Sequence, residues 1–288
     1  MCGLIHAFPR NTGTLPGEKR YAHGMIIASF NVNSVRQRLE HLSRWLVARS
    51  PDIVCLQELK CLDEAFPRAE IEALGYNVAT HGQKTFNGVA ILSKHPMEIE
   101  QCGLPGFEDE QARYIEAVVS LPGKDNQQGE AIRVCGVYFP NGNPAPGPKY
   151  DYKMAFMAAL TEHAKELLTY EEKLVIAGDY NIIPEARDAK FPEAWTQDAL
   201  ALPESRAALG RLVNLGFTDA LRATTDSAGL YTFWDYQAGA WQRNNGIRID
   251  HLLLSPRAAD RLIEVGIDKD MRAEEKPSDH VPIWCRLG

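Results

Sequence analysis

Apolar runs that stop abruptly on an acid, an amide or a histidine are the strongest constraint in this chain. Residues 26–30 (IIASF) are followed by Asn31-Val32-Asn33, and residues 53–56 (IVCL) by Gln57-Glu58. Residues 134–139 run into Pro140-Asn141, and residues 174–177 into Gly178-Asp179-Tyr180-Asn181. The run over 247–254 carries Asp250, and Asp279-His280 leads into residues 281–284. Short runs rich in Ile, Val, Leu and Phe, bounded by turn residues, predict buried strands. Where several strand ends converge, their terminal polar residues line one cleft, which is how sites are built in layered α/β folds.

Between these runs the period changes from strand to helix. Val35, Leu39, Leu42 and Leu46 recur at helical spacing, with Ser34 as the expected N-cap and Pro51 as the stop. Met154, Met157 and Leu160 mark a second helix, and Pro203 and Gly216 bracket a third. The segments 140–148 (PNGNPAPGP) and 190–203 are long loops, the kind that carries function in a compact domain. No repeat or linker divides the chain. Residues 1–24, rich in Gly, Pro, Asn and Thr and lacking periodicity, are expected to be a poorly ordered extension. The remainder, 25–288, is expected to form one catalytic domain.

Charge and cysteine usage narrow the possible partners. With 31 Lys and Arg against 38 Asp and Glu, the net charge is −7, so nucleic acid could not be held by bulk attraction. Binding it would take a local basic surface, or metal ions that offset the carboxylates. The six cysteines make no C-x-x-C pair and no zinc-finger spacing, which points to buried free thiols, a reducing compartment and a cytoplasmic location. No apolar stretch approaches the roughly 18 residues of a membrane span.

Three clusters carry the polar residues that chemistry could use: Asn31-x-Asn33 with Glu58, then Asp179-x-Asn181, then Asp250 with Ser278-Asp279-His280. Singly, each has an ordinary explanation, since a GDxN turn satisfies local backbone donors. Together, each falls where an apolar strand ends. Carboxylate and amide oxygens without thiolate suit Mg²⁺, with Mn²⁺ as a substitute, rather than Zn²⁺. Hydrolysis of a phosphodiester needs a base, an oriented water and positive charge on the reacting phosphorus centre. Asp179 could be the base, Asn181 could orient the water and Glu58 could hold the metal. His280, oriented by a carboxylate such as Asp250, could donate to a phosphate oxygen.

At these residues the chain resembles the exonuclease III family of DNA-repair nucleases. The stretches that carry the likeness, in order, are SFNVNSVRQR, PDIVCLQELK, LGYNV, HGQKTFNGVAILSK, VYFPNGNP, KYDYKMAFM, AGDYNIIP, YTFWDY, IRIDHLLLS and KPSDHVPIW. The resemblance implies an α/β four-layer sandwich, two packed mixed sheets with helices outside, and a site at one edge. It implies Glu58 as principal metal ligand, assisted by Asn33 and Asn31, and a Tyr138 that reaches the scissile phosphate. It also implies Asp179 with Asn181 as water activators, both near the metal, and Asp250 with His280 as orienting carboxylate and phosphate-binding, metal-proximal histidine. Asp279 is then a second metal-proximal carboxylate and Asn141 a phosphate-contacting amide. Departures are Ser34-Val35-Arg36-Gln37, where many members have Gly-Leu-Arg-Ala, and Asn33, where some have Asp.

The DNA-facing candidates are Arg36, Arg38, Lys60, Lys84, Lys94, Arg243, Arg248 and Lys276, with Trp234, Tyr236 and Trp241 as stacking residues. Phe233, Trp234, Ile247 and Ile249 are candidates for a pocket around a flipped-out abasic sugar. The implied activity is 3′–5′ exonuclease action, 3′-end clean-up and incision 5′ to abasic sites in duplex DNA, by a monomer that is nucleoid-associated if bacterial. A lipid- or RNA-directed phosphoesterase of the same fold, and a non-catalytic damage-binding module, are the alternatives.

Overall fold

The computed structural model describes residues 24–122 and 129–288; the extension expected at the N-terminus lies, apart from Gly24, outside them. Strand β1 (Met25–Asn31) and helix α1 (Leu39–Arg49) open the chain, followed by β2 (Ile53–Gln57), α2 (Arg68–Glu72), β3 (Asn77–His81) and β4 (Val89–Ser93). The hairpin-linked β5 (Met97–Cys102), β6 (Tyr114–Leu121) and β7 (Glu130–Tyr138) lead to the long α3 (Pro148–Leu168) and β8 (Leu174–Asp179). The last third holds α4 (Pro203–Val213), β9 (Thr218–Asp219), α5 (Ala220–Thr224), β10 (Asp250–Leu254), α6 (Pro256–Ala259), β11 (Leu262–Ile267) and β12 (Ile283–Leu287).

These strands form two mixed six-stranded sheets, ordered β11-β12-β1-β2-β4-β3 and β5-β6-β7-β8-β10-β9. Alternation along each central strand builds the layers. Ile53 and Cys55 of β2 meet Val134, Val175, Ala177 and Leu252 in the core between the sheets. Val54 and Leu56, pointing the other way, pack with Leu42, Trp45 and Leu46 of α1. Leu174 and Ile176 of β8 pack with Phe156, Leu160 and Leu209 of α3 and α4. The result is the four-layer sandwich, and both faces of the central strands are buried, which is why those strands read as continuous apolar runs.

The strand ends that the sequence marks as polar fall at one end of the sandwich. β1 runs parallel to β2, and β7 parallel to β8, so Asn31, Gln57, Tyr138 and Asp179 finish side by side. β10 and β12 run antiparallel to their neighbours, so their beginnings arrive at that same end, with Asp250 directly opposite Asp179. Gly178 is forced here, since a Cβ on it would lie 1.9 Å from the Val137 carbonyl oxygen.

Two local expectations fail. The first helix begins at Leu39, and Ser34 is not its cap. Ser34 takes a left-handed backbone (φ 86°) and donates its N–H to the Glu58 carbonyl, so the chain after β1 is stitched to the chain after β2 before a helix can start. The run over 247–254 is strand only from Asp250; Ile247 makes single bridges to Ala189 and Phe233 instead.

Candidate active site

The pocket spans both sheets. Tyr138, Asp179 and Asp250 occupy adjacent positions across the second sheet, through the register pairs Tyr138–Asp179 and Asp179–Asp250. From the first sheet, the Asn31 amide reaches across to donate to Asp179 Oδ2 at 3.0 Å and to Glu58 Oε1 at 2.9 Å. The Tyr138 hydroxyl donates to the same Glu58 oxygen at 2.9 Å. One carboxylate from each sheet is thus tied to a donor from the other.

The connections here are built on left-handed backbone. Asn33 (φ 44°), Ser34, Glu58 (φ 53°), Lys60 (φ 54°) and Asn181 (φ 49°) all adopt it. For non-glycine residues this conformation costs roughly 1 kcal/mol or more each, and such residues gather at sites where the surroundings over-determine them.

Electrostatics divides the carboxylates by role. Burial would raise the Glu58 pKa, but the Lys60 ammonium at 2.8 Å outweighs it and holds the carboxyl below its usual range. Asp179 is wholly enclosed, and burial, with Asp250 adding to it, pushes its pKa above the usual carboxylate range despite the opposing pull of His280. A carboxylate with raised proton affinity is a better general base near neutrality. Burial would lower the His280 pKa, but Asp250 and Asp179 outweigh it and hold the imidazole protonated, well above its ordinary range. His280 Nδ1 lies 2.8 Å from Asp250 Oδ2, while Nε2 lies 3.7 Å from Asp179 Oδ2, too far for a hydrogen bond and free to serve an incoming anion. The Tyr138 hydroxyl is pushed up by burial and by Glu58, so it stays a neutral donor.

A divalent ion fits the donor set. Single ligand atoms of Glu58, Asp179 and His280 lie within 4.8 Å of one another. The oxygens are hard, and among the described residues no thiolate joins them, which favours magnesium-like ions. His280 is the weakest member, because an imidazolium has no lone pair to offer. Asn31 is placed differently from the expectation that it assists as a ligand, since its amide nitrogen faces both carboxylates and its oxygen accepts from the Asn33 N–H at 3.0 Å. The Asn33 oxygen accepts from Lys60 Nζ at 2.5 Å, and its amide donates to Asp279 Oδ1 at 2.9 Å, so Asp279 joins the pocket from the rim. Asn181 donates to the Phe139 carbonyl at 3.0 Å, and the Asn141 amide comes within 3.4 Å of the Asn181 oxygen.

Several DNA-facing candidates are relocated. Arg248 is completely buried and paired with Asp188 at 2.7 Å and Asp219 at 2.7 Å, so it meets no phosphate. Trp234 is completely buried, edge-on to Trp241, with its indole N–H donated to Asn244. It therefore cannot stack on a base. Ile247 and Ile249 pack inward with Ile183, Ala189 and Leu200, and the partly exposed ring beside the pocket is Phe233, edge-on to His280 at 5.0 Å. Lys94 bonds to Ser50 beyond the far end of β4. Lys60 is bound within the pocket, whereas Arg36 and Lys84 are exposed. Tyr236 is half-exposed at the rim, accepting from the Asn33 amide at 3.2 Å and donating to the Pro277 carbonyl at 2.9 Å.

Two supporting residues receive no role from the sequence, although Ser278 stands in the third polar cluster. Ser278 donates to the Asn31 carbonyl at 2.7 Å and receives the His280 N–H, fixing the SDH turn against β1. Lys153 lies under the pocket floor. A lysine at the spacing Lys153, Phe156, Met157, Leu160, on the inward face of α3, is the signal that could have revealed it.

Comparison with known proteins places this architecture. The endonuclease/exonuclease/phosphatase family model matches residues 28–280. Exodeoxyribonuclease III of Haemophilus influenzae is 37% identical over 91% of this chain and all of its own length. The 3′ phosphatase NExo from Neisseria, solved with a product DNA hairpin, is 38% identical with a TM-score of 0.85, covering 92% of this chain and 99% of that one. An AP endonuclease from Archaeoglobus fulgidus is 34% identical with a TM-score of 0.84, covering 91% and 99% respectively. This chain belongs to the endonuclease/exonuclease/phosphatase family and, within it, to the branch of exodeoxyribonuclease III and the AP endonucleases.

Proposed function

We propose that the protein is a Mg²⁺-dependent DNA-repair phosphodiesterase that acts on duplex DNA, incising 5′ to abasic sites and removing 3′ blocks or 3′ nucleotides. The observation that carries this reading is the convergence of Asp179, Asp250 and Tyr138 from one sheet with Glu58 and Asn31 from the other, around His280. Asp179 takes the proton of the attacking water, helped by its raised pKa. His280 Nε2–H and the Tyr138 hydroxyl donate to phosphate oxygens, where negative charge grows in the transition state. Asn141 and Asn181 hold a further oxygen and the water. Glu58, with Asp179 and the Asn33 oxygen nearby, holds the ion, and His280 and Asn31 orient rather than ligate. When bound, Mg²⁺ supplies positive charge against the phosphate.

Arg36 and Lys84 contact the backbone of the duplex, and the partly exposed Phe233 faces the sugar. The enclosed thiols Cys55, Cys135 and Cys285 support action in a reducing, intracellular compartment. The protein acts as a monomer in this reading, since the mechanism calls on no residue from a second copy. A labelled duplex with one abasic site, and another with a recessed 3′ end, test the reading. Cleavage with Mg²⁺ that EDTA abolishes is the expected result. No product on either DNA, with turnover of a lipid phosphate instead, would overturn it.

A further inference from the structure

Lys153, in α3, is a fully buried lysine, and enclosure draws its pKa down to about 7 against the opposing pull of Asp179 and Asp198. Its Nζ lies 2.6 Å from the Asn181 carbonyl oxygen, 3.1 Å from that of Asn141 and 3.3 Å from that of Ala199. An ammonium has three N–H donors, and here each has one carbonyl. Among the described residues no carboxylate is hydrogen-bonded to it. Enclosing a charge without a bonded counter-ion is costly, and a methionine of similar length would fill the space without that cost. Packing therefore does not account for the residue, whereas the identity of its three acceptors does.

Those acceptors sit on three separate segments: the loop after β7, the turn after β8 and the chain before α4. The neighbourhood is shaped around the side chain. Gly142 has φ 89°, and a Cβ on it would come within 2.7 Å of Lys153 Cδ. Asn143 continues the stitching, its amide donating to Asp198 at 2.9 Å while its oxygen accepts from the Ala199 N–H at 3.0 Å. On the pocket side of the same two loops stand the side chains of Asn141 and Asn181.

We infer that Lys153 is a positioning residue, whose ammonium clamps the Asn141 and Asn181 backbones from behind and so sets where their side-chain amides meet the reacting phosphate. The inference rests on the functional reading above for the role of those amides. It assigns to Lys153 no contact with DNA.

Steady-state kinetics of Lys153→Met and Lys153→Arg on the abasic duplex, with thermal unfolding of each, test the clamp. Displacing reacting groups by about 1 Å costs on the order of 10²-fold, so K153M should lose about that factor in kcat, with KM changed less than roughly threefold. K153R, which keeps charge and donors, should recover most of the loss. Because the clamp acts through Asn181, K153M should cost little more when added to Asn181→Ala. A folded K153M with wild-type kcat, or losses that simply multiply with those of Asn181→Ala, would overturn the inference. So would failure of both Lys153 variants to fold, which would make the ammonium a support of the core. If the wild-type chain cleaves neither DNA, the functional reading alone falls. Amide hydrogen exchange over residues 139–142 and 180–183 then decides the clamp: faster exchange in K153M supports it and unchanged exchange overturns it.

Discussion

The ammonium of Lys60 lies 2.8 Å from Glu58 Oε2, on a stretch where both residues hold a left-handed backbone. Three residues past the end of β2, the curl of the chain lays a cation over the carboxylate best placed to hold a metal. Lys60 and a divalent ion therefore compete for one carboxylate. Lys60→Met should tighten Mg²⁺ binding by the free protein about fivefold, the worth of a partly exposed ion pair of about 1 kcal/mol. Glu58→Gln should weaken it. Calorimetric titration with Mg²⁺ measures both, and weaker binding by K60M would refute the competition.

Loss of either central carboxylate should be felt in chemistry and not in the fold. Asp179→Asn and Glu58→Ala should each lower kcat by about 10³-fold or more, since a general base and the charge facing the phosphate each account for factors of this size. Circular dichroism and melting should stay close to wild type. Asp179 is crowded by Asp250 and by burial, so neutralising it should not destabilise the chain, and a collapse of the Asp179→Asn fold would contradict that assignment.

His280 gives a pH dependence with a definite sign. Its folded pKa is raised above the ordinary value of about 6.5 because Asp250 and Asp179 outweigh the cost of burial. The stabilisation is fully present below that ordinary value and is lost as pH rises through the folded one. Asp250→Asn should bring the His280 midpoint, followed by NMR, down by at least about two units and move the alkaline limb of the activity profile to lower pH. An unmoved midpoint would show that Asp250 does not hold the proton.

Arg248 and Arg36 should behave as opposites. Arg248→Met leaves Asp219 without its ion-pair partner and Asp188 with Arg222 alone, which should cost about 3 kcal/mol of stability. Burial would raise both aspartates, but Arg248, joined at Asp188 by Arg222, holds them below the usual range. Their contribution is therefore present above about pH 4 and lost as pH falls through the folded values. The salt dependence of DNA binding should not change in Arg248→Met. Arg36→Ala should leave melting unchanged and reduce the slope of log K against log salt by about 0.9. A reduced slope in Arg248→Met would return that residue to the DNA interface.

How much could be seen in advance depended on the reach of the interaction. The strands were legible because both faces of β2 and β8 are enclosed, so every position is apolar until the chain leaves the sandwich. The polar residues just beyond were legible for the same reason. Arg248 was misplaced because its partners lie 60 and 29 residues away, and nothing near the IRID stretch indicates that it turns from the cleft toward Asp188 and Asp219. Trp234 sits two residues from the rim residue Tyr236, and only the packing of Tyr231, Trp241 and Val281 reveals which of the two is enclosed. Ser34 resembles a cap in sequence; its hydrogen bond to Glu58, in the chain just after β2, overrides the local preference.

The division of the pocket between the two sheets ties its dimensions to the thickness of the sandwich. Facing sheets sit about 10 Å apart, a spacing set by the side chains interleaved between them. Near the middle of that layer, Cys55 of one sheet faces Gly136 of the other, where an added Cβ would stand 3.5 Å from the cysteine Cβ. Bulk introduced at Gly136 would act as a shim, prying the Asn31 amide away from Asp179 without altering any residue at the mouth. Catalytic geometry in this enzyme is thus maintained by the calibre of its interior, and fine tuning of its rate can be sought among small apolar side chains that no substrate ever meets.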